Sequence, residues 1–252
     1  MLGLVDAAIG VAITIGLAAV AVGGKALTPV AAVVAAMFGA VIVVVGGFPY
    51  LGILALFVFA SALATRYHIE EKAARALQEG QHGERGISNV LAHIFLPTVL
   101  VLVAALLPVQ LPAEALSFLY ASAIAFGASD TFASEFGVLA GSARSIVTGT
   151  PVAPGTNGGI SVAGELFAFV GAFLTAVVAL ALYVGFGTPT VGTFLFIGGV
   201  ATAGFLSCQV DSVLGETLEN RGWLSKGSTN FVGMGASIAI GLAIIALAGA
   251  AI

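Results

Sequence analysis

Long, uninterrupted apolar stretches dominate this chain and leave few folds open to it. Eight of them are long enough to cross a hydrocarbon core about 30 Å thick, which takes roughly 20 apolar residues per helix. They cover residues 2–22, 27–46, 48–65, 88–107, 114–140, 160–186, 190–218 and 230–250. The stretches are continuous rather than alternating, which indicates helices and not a membrane barrel. Since only 8% of residues are charged, we expect an all-α integral membrane protein of about eight transmembrane helices.

The basic residues orient these spans. If the spans alternate in direction, every lysine and arginine falls in connections on one side: Lys25, Arg66, Lys72, Arg75, Arg85, Arg144, Arg221 and Lys226. The positive-inside rule identifies that side as cytoplasmic and places both termini outside. The opposite loops, near 46–48, 108–112 and 187–189, contain no basic residue, which favours eight spans over seven. No cleavable signal or transit peptide is apparent, and this favours a prokaryotic cell membrane.

We expect a single membrane domain over residues 1–252. Three helices occupy 1–65, and a charged cytoplasmic segment covers 66–87. Its charges, such as Glu71 and Arg75 at i,i+4, are typical of a short helix in a solvated cap. A five-helix catalytic part over 88–252 contains an internal repeat, 114–186 against 190–250.

Each repeat unit has an acidic motif, a polar loop and a Thr-Asn pair. The motifs are DTFASE at 130–135 and DSVLGE at 211–216, and the pairs are at 156–157 and 229–230. The pair Ser88-Asn89 is a fainter third copy. All of these elements are expected on the cytoplasmic face.

Four motif carboxylates come late in spans five and seven: Asp130, Glu135, Asp211 and Glu216. Carboxylates at membrane depth are costly unless paired, hydrated or bound to a cation. Neutralisation by Arg144, Arg221 or Lys226 is the structural alternative. Oxygen ligands without Cys or clustered His favour Mg²⁺ or Mn²⁺, so these four are the candidate metal-binding and catalytic residues. Acids five residues apart face different directions on a regular helix. Both acids of a motif reach one ion only if the helix unwinds locally or lies between two neighbours.

The Thr-Asn pairs predict an anion site facing the acids. Helices beginning at Asn89, Asn157 and Asn230 would point free N–H groups at one pocket, although ordinary capping is the alternative. The Gly/Pro-rich loop 149–159 can approach phosphates closely, but it lacks a Walker A lysine. The predicted phosphate-binding residues are Arg85, Asn89, Thr131, Ser134, Arg144, Thr156, Asn157, Gly158, Gly159, Glu165, Ser212, Lys226, Thr229 and Asn230. Glu165 is included because it falls on the stripe of Asn157, at i,i+8.

Four segments together resemble a known membrane family. They are RGISNVLA at 85–92, SDTFASEFG at 129–137, GTNGGIS at 155–161 and DSVLGE at 211–216. The family is the one formerly grouped as domain of unknown function 92, which includes transmembrane protein 19 and the chloroplast phytyl-phosphate kinase.

The resemblance implies phosphoryl transfer from a nucleoside triphosphate, with CTP favoured, to an isoprenyl monophosphate of the phytyl or geranylgeranyl type. The product would be the diphosphate. It also implies Mg²⁺ or Mn²⁺ as cofactor, membrane lipids as surroundings and no nucleic-acid partner. The oligomeric state stays open.

Two alternatives to this activity remain. A CTP-dependent polyprenol kinase or a cytidylyltransferase would share the metal and nucleotide sites. An ion-coupled transporter could also be built from internal repeats, but its site should lie near the midplane. The half of the protein that faces away from the cytoplasm contains only Asp6 and Glu114 as charged residues. This favours an enzyme whose site lies on one face of the membrane.

Overall fold

The computed structural model describes residues 2–80, 83–106 and 111–249. Its helices are α1 (Leu4–Gly23), α2 (Pro29–Gly46), α3 (Phe48–Arg66), α4 (Ile69–Ala74), α5 (Ile87–Leu106), α6 (Ala113–Gly137), α7 (Val162–Gly185), α8 (Thr193–Leu214) and α9 (Lys226–Leu247). A π-helical turn, Gly215–Glu219, extends α8. The eight predicted stretches coincide with α1 to α3 and α5 to α9, so the all-α membrane fold is confirmed. The predicted loop 108–112 and the ends of spans four and eight lie partly outside the described residues.

Seven of these helices are long and apolar enough to cross a membrane, and α6 is the long helix that falls outside this set. It occupies the centre of the bundle, in contact with α3, α5, α7, α8 and α9. Phe118, Tyr120, Ala125 and Phe126 on this helix are fully buried. Because protein rather than lipid surrounds α6, it can carry serines and carboxylates that a lipid-facing helix could not.

Capping hydroxyls, not the asparagines, set the starts of the site helices. The Ser161 hydroxyl accepts a hydrogen bond from the Gly164 N–H at the start of α7. Ser225 forms a capping box with Ser228 at the start of α9. The prediction that helices begin at Asn89, Asn157 and Asn230 is therefore wrong. Asn89 and Asn230 lie inside α5 and α9, while Asn157 lies in the loop before α7, so Glu165 does not share a helical stripe with it.

The connections 24–28, 138–161 and 220–225, together with residues 67–80 and 83–86, meet at one end of the bundle, which we call the polar end. The Thr28 N–H donates to the Arg85 carbonyl at 3.1 Å, and the Arg85 N–H donates to the Ala26 carbonyl at 2.9 Å. The Lys226 ammonium reaches Glu79 at 2.7 Å. The predicted gathering of the basic residues on one face follows from these links. That this face is cytoplasmic stays a prediction.

The Gly/Pro-rich connection between α6 and α7 folds into a small antiparallel sheet, which the sequence did not predict. Its strands are β1 (Ala143–Ser145), β2 (Pro151–Val152) and β3 (Gly159–Ile160), in the order β2-β1-β3. Arg144 pairs with Pro151 on one side and with Ile160 on the other. The sheet holds the turn before β3 against the end of α8.

Candidate active site at the polar end

A polar cavity of about 320 Å³ opens between α6, α8, α9 and the small sheet. It contains most of the predicted site residues: Asp130, Ser134, Glu135, Thr156, Asn157, Gly158, Gly159, Glu165, Asp211, Ser212, Lys226 and Asn230. The repeat therefore brings its two motifs and both Thr-Asn pairs to the same region. Glu79 and Glu219 also line this cavity.

Asp130 and Asp211 face the cavity with few hydrogen-bond partners. One oxygen of Asp130, Oδ2, accepts from the Asn230 amide at 3.3 Å and lies 3.9 Å from Nε2 of His93. Oδ1 of Asp211 is buried and has no hydrogen-bond partner among the described residues. Both aspartates line the same cavity. Two neighbouring carboxylates, one with a free buried oxygen, are typical of a site that holds a cation or a proton.

Glu135 belongs to an ion pair instead. Its Oε2 accepts from the Lys72 ammonium at 2.8 Å, and its Oε1 accepts from the Thr65 hydroxyl at 2.5 Å. The Lys72 side chain is fully buried and donates also to the Ala64 and Thr65 carbonyls. Both oxygens of Glu135 are thus engaged, and its contacts do not support a role as a metal ligand.

Glu216 anchors the sheet to α8. Its Oε1 accepts from the Ser145 hydroxyl at 2.5 Å, and its Oε2 accepts from the Val147 N–H at 3.2 Å. The residue lies in the π-helical turn, where the Asn220 N–H donates to the Gly215 carbonyl five residues back. The second motif is therefore locally widened, whereas the first lies in regular helix. The carboxylate of Glu216 contacts the sheet at Ser145 and the adjoining Val147.

The four motif carboxylates do not converge on one point. Within the described ranges, no three His, Cys, Asp or Glu side chains lie close enough together to hold one metal ion. Glu135 also lines the cavity but is paired with Lys72, so Asp130 and Asp211 are the motif carboxylates left for a cation there. Mg²⁺ is commonly held by one or two carboxylates together with water and substrate phosphates, so this pair has the donor chemistry for it.

Gly158 is fixed against the end of α8. Its φ is +74°, in the left-handed region, and an added Cβ would lie 2.3 Å from Cβ of Glu216. Only glycine fits this approach. Beside it, the Asn157 amide donates to Glu219 at 3.1 Å. The predicted phosphate loop is thus held at the wall of the polar cavity.

Four of the remaining predicted residues have other contacts. Arg144 donates to the Gly149 carbonyl at 2.9 Å on the exposed side of the hairpin. Thr229 is buried and donates to the Ser225 carbonyl. The Thr131 hydroxyl accepts from the Arg85 guanidinium at 3.2 Å. None of these four residues is part of the polar cavity lining that the structure describes. Arg85 and Thr131 stay beside the site, because Thr131 follows Asp130 in the chain and contacts Arg85.

A second cavity, of about 290 Å³, lies between α1, α2, α3 and α5 and is lined almost entirely by apolar residues. Its polar lining includes Arg85, Asn89 and His93. Nδ1 of His93 lies 2.8 Å from the Asn89 carbonyl, so Nδ1 carries the ring proton and Nε2 is directed towards Asp130. Arg85 lies 4.0 Å from Glu135, which lines the polar cavity. Arg85 and His93 therefore connect the lining of the apolar cavity to carboxylates of the polar one.

The charged segment 66–87 contributes more than a solvated cap. Glu71 and Arg75 form the predicted exposed pair at 2.6 Å, but Lys72 is buried and Glu79 enters the cavity wall. Burial alone would raise the pKa of Glu79, yet the charge and hydrogen bond of Lys226, together with the charge of Arg85, hold it below the ordinary value. Sequence reasoning missed Lys72, Glu79 and Glu219.

Comparisons with known proteins agree on one family of membrane proteins. Residues 12–237 match the family model described as integral membrane protein DUF92. The chain is 33% identical over 197 residues to an uncharacterized membrane protein of Synechocystis sp., covering 77% of this chain and 73% of that protein. An uncharacterized membrane protein of Methanocaldococcus jannaschii is 32% identical over 193 residues, covering 74% and 72%. Protein PGR of Arabidopsis thaliana is 30% identical over 196 residues, covering 71% and 67%. No solved structure matches.

Proposed function

This chain belongs to the DUF92 family of integral membrane proteins, and from that premise we propose that it is a membrane-embedded isoprenyl-phosphate kinase. It transfers the terminal phosphoryl group of a nucleoside triphosphate to the phosphate of an isoprenyl monophosphate, which gives the isoprenyl diphosphate and leaves the nucleoside diphosphate. CTP is the favoured donor, on the resemblance of the four sequence segments to the phytyl-phosphate kinase family. The active site faces the cytoplasm, where nucleotides are found.

One observation carries this proposal: Arg85 and His93 line an apolar cavity and lie 4.0 Å from Glu135 and 3.9 Å from Asp130, which line a polar one. An isoprenyl monophosphate has the same two parts, an apolar chain and an anionic head. With the chain in the apolar cavity, its phosphate would lie beside the Arg85 guanidinium, which is suited to bidentate phosphate contacts. The acceptor would then face the polar cavity, where the donor nucleotide binds.

The polar cavity supplies the groups that a phosphate-rich donor needs. Asp130 and Asp211 would hold Mg²⁺ or Mn²⁺, which neutralises clustered phosphate charge when bound. The free oxygen of Asp211 supports this assignment. Lys226, the backbone of the Gly158 turn and the hydroxyl of Ser212 line the same space and would contact donor phosphates.

The other two motif carboxylates have positioning roles in this proposal. Glu135 neutralises buried Lys72 and contacts Thr65, which lies 3.5 Å from the Arg85 guanidinium. Glu216 holds the sheet and hence the Gly158 turn. No general base is required, because the acceptor phosphate is already an anion at neutral pH and phosphoryl transfer depends mainly on positioning and electrostatics.

The test is a product assay with purified protein in detergent. Geranylgeranyl or phytyl monophosphate is incubated with Mg²⁺ and each nucleoside triphosphate in turn, and the diphosphate is sought by mass spectrometry. We expect diphosphate with wild type and none with Asp130→Asn or Asp211→Asn. Glu114→Gln, at the opposite end of α6, is the matched control and should keep full turnover.

The outcomes separate the candidate activities. Folded wild type that makes no diphosphate with any nucleotide refutes the kinase. A cytidylyl adduct of the lipid would identify a cytidylyltransferase, and phosphorylation of a polyprenol but not of a monophosphate would identify a polyprenol kinase. Mg²⁺-dependent turnover that survives both aspartate substitutions would refute the metal-site assignment.

A further inference from the structure

The apolar cavity extends deep into the membrane part of the bundle. Its lining follows α3 from Arg66 to Leu51, a separation of 15 residues, or about 22 Å at 1.5 Å per residue. Thr14 and Gly39 line its far end beside Leu51. An added Cβ at Gly39 would lie 2.7 Å from the Thr14 methyl group, so α1 and α2 are in tight contact there and close the cavity.

The side of the cavity is open to the bilayer. Val20 on α1 and Phe59 and Leu63 on α3 line it, although they are 72%, 62% and 54% exposed at the outer surface of the bundle. In a membrane such exposed apolar side chains meet lipid chains. A ligand of this cavity can therefore come from the bilayer.

Among the described residues, the charged side chains of this lining lie near one end of the cavity. Arg66 and Arg85 contribute cations there. Ser61 is buried, and its hydroxyl has no hydrogen-bond partner among the described residues. It lies five residues before Arg66, about 7.5 Å along α3. An unpaired buried hydroxyl near two arginines is suited to an anionic head group.

From this geometry we infer that the cavity binds the single apolar chain of an anionic lipid, and that the depth available beside Ala55 limits the chain length accepted. A volume of about 290 Å³ is at the lower end of ligand pockets, roughly 300 to 1,000 Å³, which fits one chain and not a two-chain phospholipid. The identity of the lipid as an isoprenyl monophosphate rests on the proposed function. Ala55 is half-buried and lies about three turns from Arg66, so a larger side chain there shortens the cavity without touching the head group.

The experiment measures direct binding and needs no turnover. Geranyl, farnesyl and geranylgeranyl monophosphates are titrated into wild type and Ala55→Phe in detergent without nucleotide. We expect Ala55→Phe to weaken the binding of geranylgeranyl monophosphate by roughly tenfold or more, which corresponds to about 1.4 kcal/mol. The affinity for geranyl monophosphate should stay nearly unchanged. Leu56→Phe is the control, because the neighbouring Leu56 is 46% exposed to lipid and lies outside the cavity lining. It should bind all three ligands like wild type.

Retained binding of the short ligand shows that Ala55→Phe is folded. If Ala55→Phe binds all three ligands as wild type does, or weakens all three equally, the length-limiting site is refuted. If Ala55→Phe shows the expected selectivity but wild type forms no diphosphate, the cavity assignment stands and the kinase is refuted. If wild type forms diphosphate and Ala55→Phe does so with unchanged chain-length preference, the kinase stands and this inference is refuted.

Discussion

The buried pair between Lys72 and Glu135 allows the most direct test of how the polar end is built. Lys72 is fully buried and makes three hydrogen bonds, one of them to Glu135, which is 8% exposed. Removing one partner of such a pair leaves an unpaired buried charge, at a cost of about 3 to 5 kcal/mol. We expect the cost of Lys72→Met to lie near the lower limit, because Glu135 keeps its hydrogen bond from Thr65 and has the Arg85 guanidinium at 4.0 Å. Glu135→Leu should be near the upper limit, since the ammonium then keeps only backbone carbonyls.

The double variant Lys72→Met with Glu135→Leu removes both charges and should destabilise by less than the sum of the single changes. Reversible unfolding in mixed micelles gives the free energy of unfolding of all four proteins. Arg75→Met is the control, because Arg75 also pairs with a glutamate, Glu71, at 2.6 Å, but the two side chains are 46% and 41% exposed. It should change stability by less than about 1 kcal/mol. Should Lys72→Met prove no more destabilising than Arg75→Met, or the double variant fully additive, the buried pair would not have the structural role assigned to it.

Three further predictions address the site. Mg²⁺ should raise the melting temperature of wild type and of Glu135→Gln but not that of Asp211→Asn, as measured by thermal unfolding with and without Mg²⁺. If Mg²⁺ does not raise the melting temperature of Glu135→Gln, Glu135 is a metal ligand after all. Gly158→Ala should reduce turnover strongly, because the added Cβ would clash with Glu216. Gly149→Ala is the control: Gly149 has φ +70° and nothing within 4 Å of an added Cβ, so the substitution adds only the left-handed strain of about 1 to 2 kcal/mol. Equal activity of the two variants would contradict the close approach of Gly158 to Glu216. Because the pKa of Glu79 is lowered in the folded state, its pair with Lys226 stabilises above the ordinary pKa of 4.5 and loses that effect as pH falls through the folded pKa. The stability difference between wild type and Glu79→Gln should thus be largest near neutral pH, and a difference that grows on acidification would have the wrong sign.

The acidic motifs show where sequence reasoning reached its limit. Their duplication was sufficient to find Asp130 and Asp211 and to place them at the polar end. The same pattern gave Glu135 and Glu216 an identical metal-binding role, although each has its own partners. The partner of Glu135 lies 63 positions away and that of Glu216 lies 71 positions away, and neither separation leaves a periodic signal in the sequence.

The helix starts show a second limit. A Thr-Asn pair after a polar loop resembles a capping motif, yet Ser161 and Ser225 are the caps. Several hydroxyls near a helix start compete for the same N–H groups, and packing decides which one is used. Asn230 does not cap a helix, and its amide instead donates a hydrogen bond to Asp130, 100 positions away.

The sequence by itself determined that the chain lies in a membrane, which secondary structure it forms and on which face its charged residues gather. These follow from the local apolar character of each stretch and from the high cost of placing charges in hydrocarbon, neither of which depends on a distant contact. Only the tertiary structure decided which carboxylates are neutralised and which face open space, and that Arg85 of the apolar cavity lies 4.0 Å from Glu135 of the polar one. Those properties arise where helices distant in sequence pack together, and there the energy of a carboxylate depends on its neighbours and no longer on its own segment.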